Sequence, residues 1–237
     1  MAKLSVATEQ NESGCLVYAT EYMGAFARGK TKEEALEKLP GDVVSYCRFA
    51  NRSTPKEPFE LCVVQQKQSA LQVCDADSDI LLDCEIPPLT ILEYLLSKEL
   101  CLKSAECFLR LYEAIPSPDA LLRPRRKTFY GEIPATAREM YSHTNGVTSY
   151  YAGEIGAQTE NSTNIFLSRL AAFAAIEATS DYLINRVFIG SHDEAWTLRK
   201  VLRRFLWHDR IHAKALYQRA CTLWGRSRIP NEFYFPE

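Results

Sequence analysis

The sequence predicts an α+β protein in which a small N-terminal α+β domain, residues 1–86, precedes an all-α four-helix bundle, residues 87–237. Three observations carry this. Short β-branched and aromatic runs with a single helix fill the first part of the chain. The pattern changes at Pro87-Pro88, and four long segments beyond it repeat apolar residues at spacings of three and four. Each element can then be justified in order.

Leu4 to Thr8 and Cys15 to Thr20 read as strands joined by the turn-rich stretch from Gln10 to Gly14. A third strand runs from Gly24 to Gly29. Thr31 is a helix N-cap with Glu34 as its capping-box partner, ahead of Ala35, Leu36 and Leu39. Pro40-Gly41 is expected to interrupt that helix, which resumes through Val43, Val44 and Tyr46. Phe59 to Val64, Leu71 to Val73 and Ile80 to Leu82 are further strand candidates. Beyond Pro88, helices are expected over 89–115, 134–158, 164–187 and 195–224. Pro116 and Pro118 stop the first, Pro134 opens the second and Asp193 caps the last. Helices of about 25 residues are about 37 Å long, the length of a bundle. Each part has its own apolar pattern, so residues 89–237 are expected to fold without residues 1–84.

Composition excludes several classes. The 237 residues are 46% apolar and 24% charged, with a net charge of −2. That is ordinary for a globular protein. It gives no general attraction to nucleic acid or to anionic membranes, so strong nucleic-acid binding is not expected. Met1 to Gln10 holds no apolar run of signal-peptide length, and the apolar stretch 165–176 is far short of a span. None of the eight cysteines forms a Cys-x-x-Cys pair, which removes zinc-ribbon and thioredoxin motifs. Reduced cysteines and a cytoplasmic location are the expectation.

The four histidines are the most informative feature. His208 and His212 are four apart, on the stripe of Leu198, Val201, Phe205, Ala215 and Leu216. His143 lies in the stripe Met140, Val147, Tyr150 of the second helix. Three imidazoles are therefore expected to face the bundle interior from two helices, an arrangement suited to a divalent Zn, Ni, Fe, Cu or Mn ion. His192 sits in the loop Gly190 to Asp193 and reads as a surface residue. Glu139, one turn before His143, is a candidate to accept its second N–H, or else a solvated helix residue. Asp209 points about 100° away from His208 and is not expected to be a ligand. Tyr150 or Tyr151 can bring a hydroxyl near the ion. Arg199, Lys200, Arg203, Arg204 and Arg210 read as a solvated face, with anchoring of an acidic thiol or a phosphate as the sharper option. Cys101 and Cys107 sit on the first bundle helix.

Arg138 to His143, together with Trp196 to His212 ending in His-x-x-x-His, resembles the DinB/YfiT-like four-helix bundle over residues 89–225. The resemblance implies a divalent metal held by His143, His208 and His212, with thiol-dependent transferases, isomerases and metal-dependent hydrolases among the known members. A low-molecular-weight thiol is then a candidate cofactor and a small molecule the substrate. Gly14 to Tyr18, Gly24 and Arg28 to Leu36 are similar to HicB-like domains over residues 1–70. Those domains occur in antitoxins, usually ahead of a DNA-binding segment, and none follows here. Protein contact or substrate shielding is the expectation for this part. A metal-dependent enzyme of transferase or hydrolase type is the first reading; a non-catalytic binding or metal-sensing protein is the second. Oligomeric state is left open, a homodimer included.

Overall fold

A computed structural model describes residues 2–56, 58–128 and 131–236. It is a mixed α+β fold with a small N-terminal sheet and five helices. Strands β1 (Ala2–Asn11), β2 (Gly14–Ala19), β3 (Phe26–Gly29) and β4 (Phe59–Gln68) form one sheet in the order β3-β2-β1-β4. The β1/β2 and β2/β3 pairs are antiparallel, while β1 and β4 run parallel, joined by a crossover that contains helix α1 (Lys32–Phe49).

Thr31 caps α1 as expected, its hydroxyl accepting from the Glu34 N–H. The Glu34 carboxylate, however, reaches the Lys30 N–H. Pro40 does not break the helix: α1 is continuous through it. A proline in the helix interior lacks one hydrogen bond, yet its neighbours Leu39 and Val43 are wholly buried and anchor both sides of the gap. The strands expected at 71–73 and 80–82 are absent. That stretch is a 3₁₀ turn (Val73–Asp75) and irregular chain, and Val73, Ile80 and Leu82 are buried because they cover the sheet face that α1 leaves free.

Four further helices follow: α2 (Ile91–Glu113), α3 (Ala137–Gly153), α4 (Ile165–Glu177) and α5 (Leu198–Trp224). Helix α2 packs on α4 and α5, and α3 packs on the same two. Thr90, Thr136, Asn164 and Thr197 cap them. Thr197, not Asp193, therefore starts α5, because its hydroxyl accepts from the Lys200 N–H. Helix α4 ends ten residues before the expected limit, after which Asp181 and Asn185 take positive φ and turn the chain out of helix.

The joint at Pro87-Pro88 is not a slack linker. Asn185 donates to the carbonyls of Glu85, Ile86 and Pro87, and Arg199 donates to those of Pro87 and Pro88. One continuous apolar cluster contains Val17, Leu39 and Tyr46 from the sheet part and Phe108, Phe173 and Phe205 from the helices. On the opposite sheet face, Trp207 of α5 packs on Tyr18 and Phe26 at centroid distances of 6.4 and 6.0 Å. Gly24, at φ 145°, lets Leu206 of α5 come so close that a Cβ there would lie 2.7 Å from its Cγ. Residues 230–236 add Phe233, stacked on Phe49 at 5.1 Å. The apolar pattern thus divides at residue 87 but the core does not. A fragment of residues 89–237 should expose Trp207 and Leu206 and strand the Arg210 guanidinium, and we expect it to lose cooperative thermal unfolding. A sharp calorimetric transition in that fragment would show that the joint is dispensable.

No described helix is long and apolar enough to cross a membrane.

Candidate metal centre

The site is built from the middle of α5 and the first half of α3. Helix α3 starts where the Thr136 hydroxyl accepts from the Glu139 N–H and the Glu139 carboxylate accepts from Ala135 and Thr136. Its other oxygen accepts from Arg125 at 2.9 Å. Glu139 is therefore taken up by capping and does not support His143. One turn further along α3, His143 faces α5, where His208 and His212 occupy adjacent turns of one face.

The three Nε2 atoms converge. Those of His143 and His208 lie 3.2 Å apart, as do those of His208 and His212, and the three candidate ligand atoms all fall within 4.8 Å of one another. For nitrogens about 2.05 Å from a shared ion, a 3.2 Å separation subtends about 100° at the ion, between the octahedral and tetrahedral angles. The group can hold a metal ion. His208 is buried, His212 half-buried and His143 exposed, so the cluster is open to solvent on the His143 side and is not enclosed as its sequence stripe implies.

The cluster has a bonding problem that a cation would resolve. An imidazole nitrogen has one in-plane site, which either carries a proton or accepts one. The His208 Nε2 faces two others at equal distance and can make a proper hydrogen bond to only one of them. At least one pair of nitrogens must then meet lone pair to lone pair, or proton to proton. A cation at the centre satisfies all three at once.

Electrostatics favour neutral imidazoles, the form that binds metal. Burial, then the neighbouring imidazoles, hold His208 and His212 well below the ordinary 6.5; Arg123 and Arg28 add to this at His212. His143 is lowered by desolvation and then by Arg123. With folded values below unfolded ones, the unfolded chain takes up more protons beneath pH 6.5. The metal-free protein should accordingly lose stability as pH falls from 7 to 5. Thermal melts that rise over that interval would contradict this.

Other singled-out residues go elsewhere. Asp209 forms a fully buried ion pair with Arg169 at 3.1 Å and is no ligand. Tyr151 is buried with its ring edge-on at 6.0 Å from His208, whereas Tyr150 is exposed. Among the described residues neither hydroxyl bonds the histidines. His192 is exposed in its loop. The basic residues singled out on α5 are not a solvated face. Lys200, Arg203, Arg204 and Arg210 are buried, paired with Glu194, Glu85, Glu194 and Asp42 respectively. They hold α5 against the 78–85 segment, α1 and the β2–β3 turn, a role that charge patterning alone does not reveal. Cys101 donates to the Leu202 carbonyl, and burial pushes its thiol up to about 12 and that of Cys107 to about 11. Exposed Cys74 should react with a thiol reagent in the native protein while Cys101 and Cys107 stay protected. Mass-spectrometric mapping of the labelled sites checks this. Arg28 and Arg123, which sequence reasoning passed over, act on the cluster from β3 and the α2–α3 connector; only tertiary folding brings them there.

Compared with known proteins, the chain matches no family model, no curated protein and no solved structure.

Proposed function

We propose that the protein is a metal-dependent enzyme of the thiol-dependent transferase or hydrolase type, built on a DinB/YfiT-like four-helix bundle behind a HicB-like domain. The observation that carries the reading is the convergence of the His143, His208 and His212 Nε2 atoms from two helices. Pairwise packing of α2, α3, α4 and α5 supports the bundle, and the β-β-β-α-β order of the first 68 residues supports the N-terminal assignment. Three neutral nitrogen ligands suit Zn, Ni, Fe or Mn in the divalent state and leave positions for a small-molecule substrate or a low-molecular-weight thiol. A bound ion supplies Lewis acidity that lowers the pKa of a water or thiol. His143 then stands at the solvent edge, while Tyr151 and Trp207 wall the buried side and exclude water there. The eight cysteines, all free thiols, support a reducing, cytoplasmic location.

The competing reading is a non-catalytic binding or metal-sensing protein. It is favoured by β4, which ends the sheet and offers an edge to a partner strand. Metal analysis of untagged protein tests the metal in both readings. About one divalent ion per chain is expected, together with a thermal shift lost in chelator; no metal uptake and unchanged melting would refute it. Turnover lost in His212→Ala with the fold retained would separate enzyme from binding protein.

A further inference from the structure

We propose that the open side of the histidine cluster recognises an anion, the carboxylate or phosphate group of a small molecule, through Arg28, Arg123 and Arg219. The inference rests on the metal-site reading only for what the ligand meets next.

Arg219 lies seven residues beyond His212 on α5. Two helical turns separate them, so both project from one face to within about 20°, about 10 Å apart along the axis. Arg219 is exposed, and no carboxylate pairs with it among the described residues. Arg123 lies on the connector ahead of α3. Its Nε donates to the Pro134 carbonyl at 2.7 Å, which pins the side chain just before the helix that carries His143. Among the described residues its terminal nitrogens make no hydrogen bond, which leaves them for a ligand. Arg28 is the penultimate residue of β3 and donates one Nη to the Cys74 carbonyl. Arg126 binds Asp75, the residue after Cys74, so Arg28 and the connector that carries Arg123 meet over residues 74–75. The charges of Arg126, Arg219 and Arg28 all act on Arg123, against the pull of Asp75.

The contrast with neighbouring arginines decides what the three are for. Arg125 pairs with Glu139 and Arg126 with Asp75. The buried α5 arginines also have carboxylates. Arg28, Arg123 and Arg219 make no ion pair of their own among the described residues: the carboxylate in their neighbourhood, Asp75, is bound by Arg126 and acts on Arg28 and Arg123 only at longer range. Clustered like charge opposes folding unless something offsets it, and a bound divalent cation would add to it. An anion satisfies all three guanidiniums, whose planar forks match carboxylate and phosphate oxygens. Its reactive end then reaches the histidines from the exposed His143 side.

Titration calorimetry of the full-length, metal-free chain with inorganic phosphate, and separately with succinate, tests this. Phosphate the tighter points to a phosphate monoester, succinate to a carboxylate; either supports the proposal. R123Q/R219Q should weaken the tighter probe by at least about tenfold, the effect of losing two charge-assisted contacts. R186Q, which removes an arginine of the α4–α5 connector that pairs with Asp181, should leave it within about twofold. Zinc affinity should stay within about threefold in R123Q/R219Q, whereas H212A should lose zinc and keep the anion. Failure of both probes to bind wild type, or equal binding by R123Q/R219Q, overturns the proposal. Absence of zinc binding to wild type would instead refute the metal site and leave the anion result to stand.

Discussion

His208→Ala should lower zinc affinity by more than about 100-fold, beyond the upper end of what losing a single supporting hydrogen bond costs a metal site. His208 is the central ligand, because its Nε2 is 3.2 Å from both of the others. Its removal leaves two nitrogens on different helices and no shared vertex. The helical circular dichroism should survive, since Leu198, Val201, Phe205 and Leu216 still bury the same face of α5. His143→Ala should cost less, because that ring is exposed and water can take its place. Calorimetric zinc titration of both variants checks the order. Equal affinities in wild type and His208→Ala would remove the metal centre.

Asp209→Ala should destabilise the protein by about 3–5 kcal/mol, the cost of stranding one charge of a buried pair. Its partner Arg169 is fully buried, and the guanidinium lies 4.0 Å over the Phe205 ring. Burial lifts the Asp209 carboxyl above its ordinary value while Arg169 opposes the lift, so neither group has solvent to fall back on. Asp209→Leu with Arg169→Met should recover most of the loss, because it removes both charges and fills the space. Urea unfolding monitored by circular dichroism measures the three proteins. A loss below about 1 kcal/mol in Asp209→Ala would mean that water reaches the pair.

The candidate ligands were legible because helical spacing is a local property. His208 and His212 share a face by arithmetic, and His143 falls on a stripe whose helix packs on theirs. Thr31 was legible as a cap for the same reason. Three features were hidden. Lys200, Arg203, Arg204 and Arg210 look like a solvated face until Glu85 and Asp42, from distant parts of the chain, and Glu194, from the loop just before α5, neutralise them. Val73, Ile80 and Leu82 have strand-like composition, but they are buried by lying across a sheet and not by joining it. Glu139 has the correct spacing to support His143, yet two backbone N–H groups at the start of α3 claim it first.

Helix α5 presents the histidines on one side and Arg203, Trp207 and Arg210 about 200° to 260° around it. The second set is locked to the sheet through Tyr18 and Phe26, and to the segments that flank it through Glu85, Asp42 and the Gly24 carbonyl. The sheet therefore acts as a rotational stop for a rod that carries two of the three candidate ligands. A turn of about 20° about the α5 axis would carry an imidazole tip, about 5–6 Å from that axis, through roughly 2 Å. That displacement equals a whole metal–nitrogen bond. Alignment of the centre is thus set by a brace on the far side of the helix, and loosening the brace misaligns the histidines without touching them.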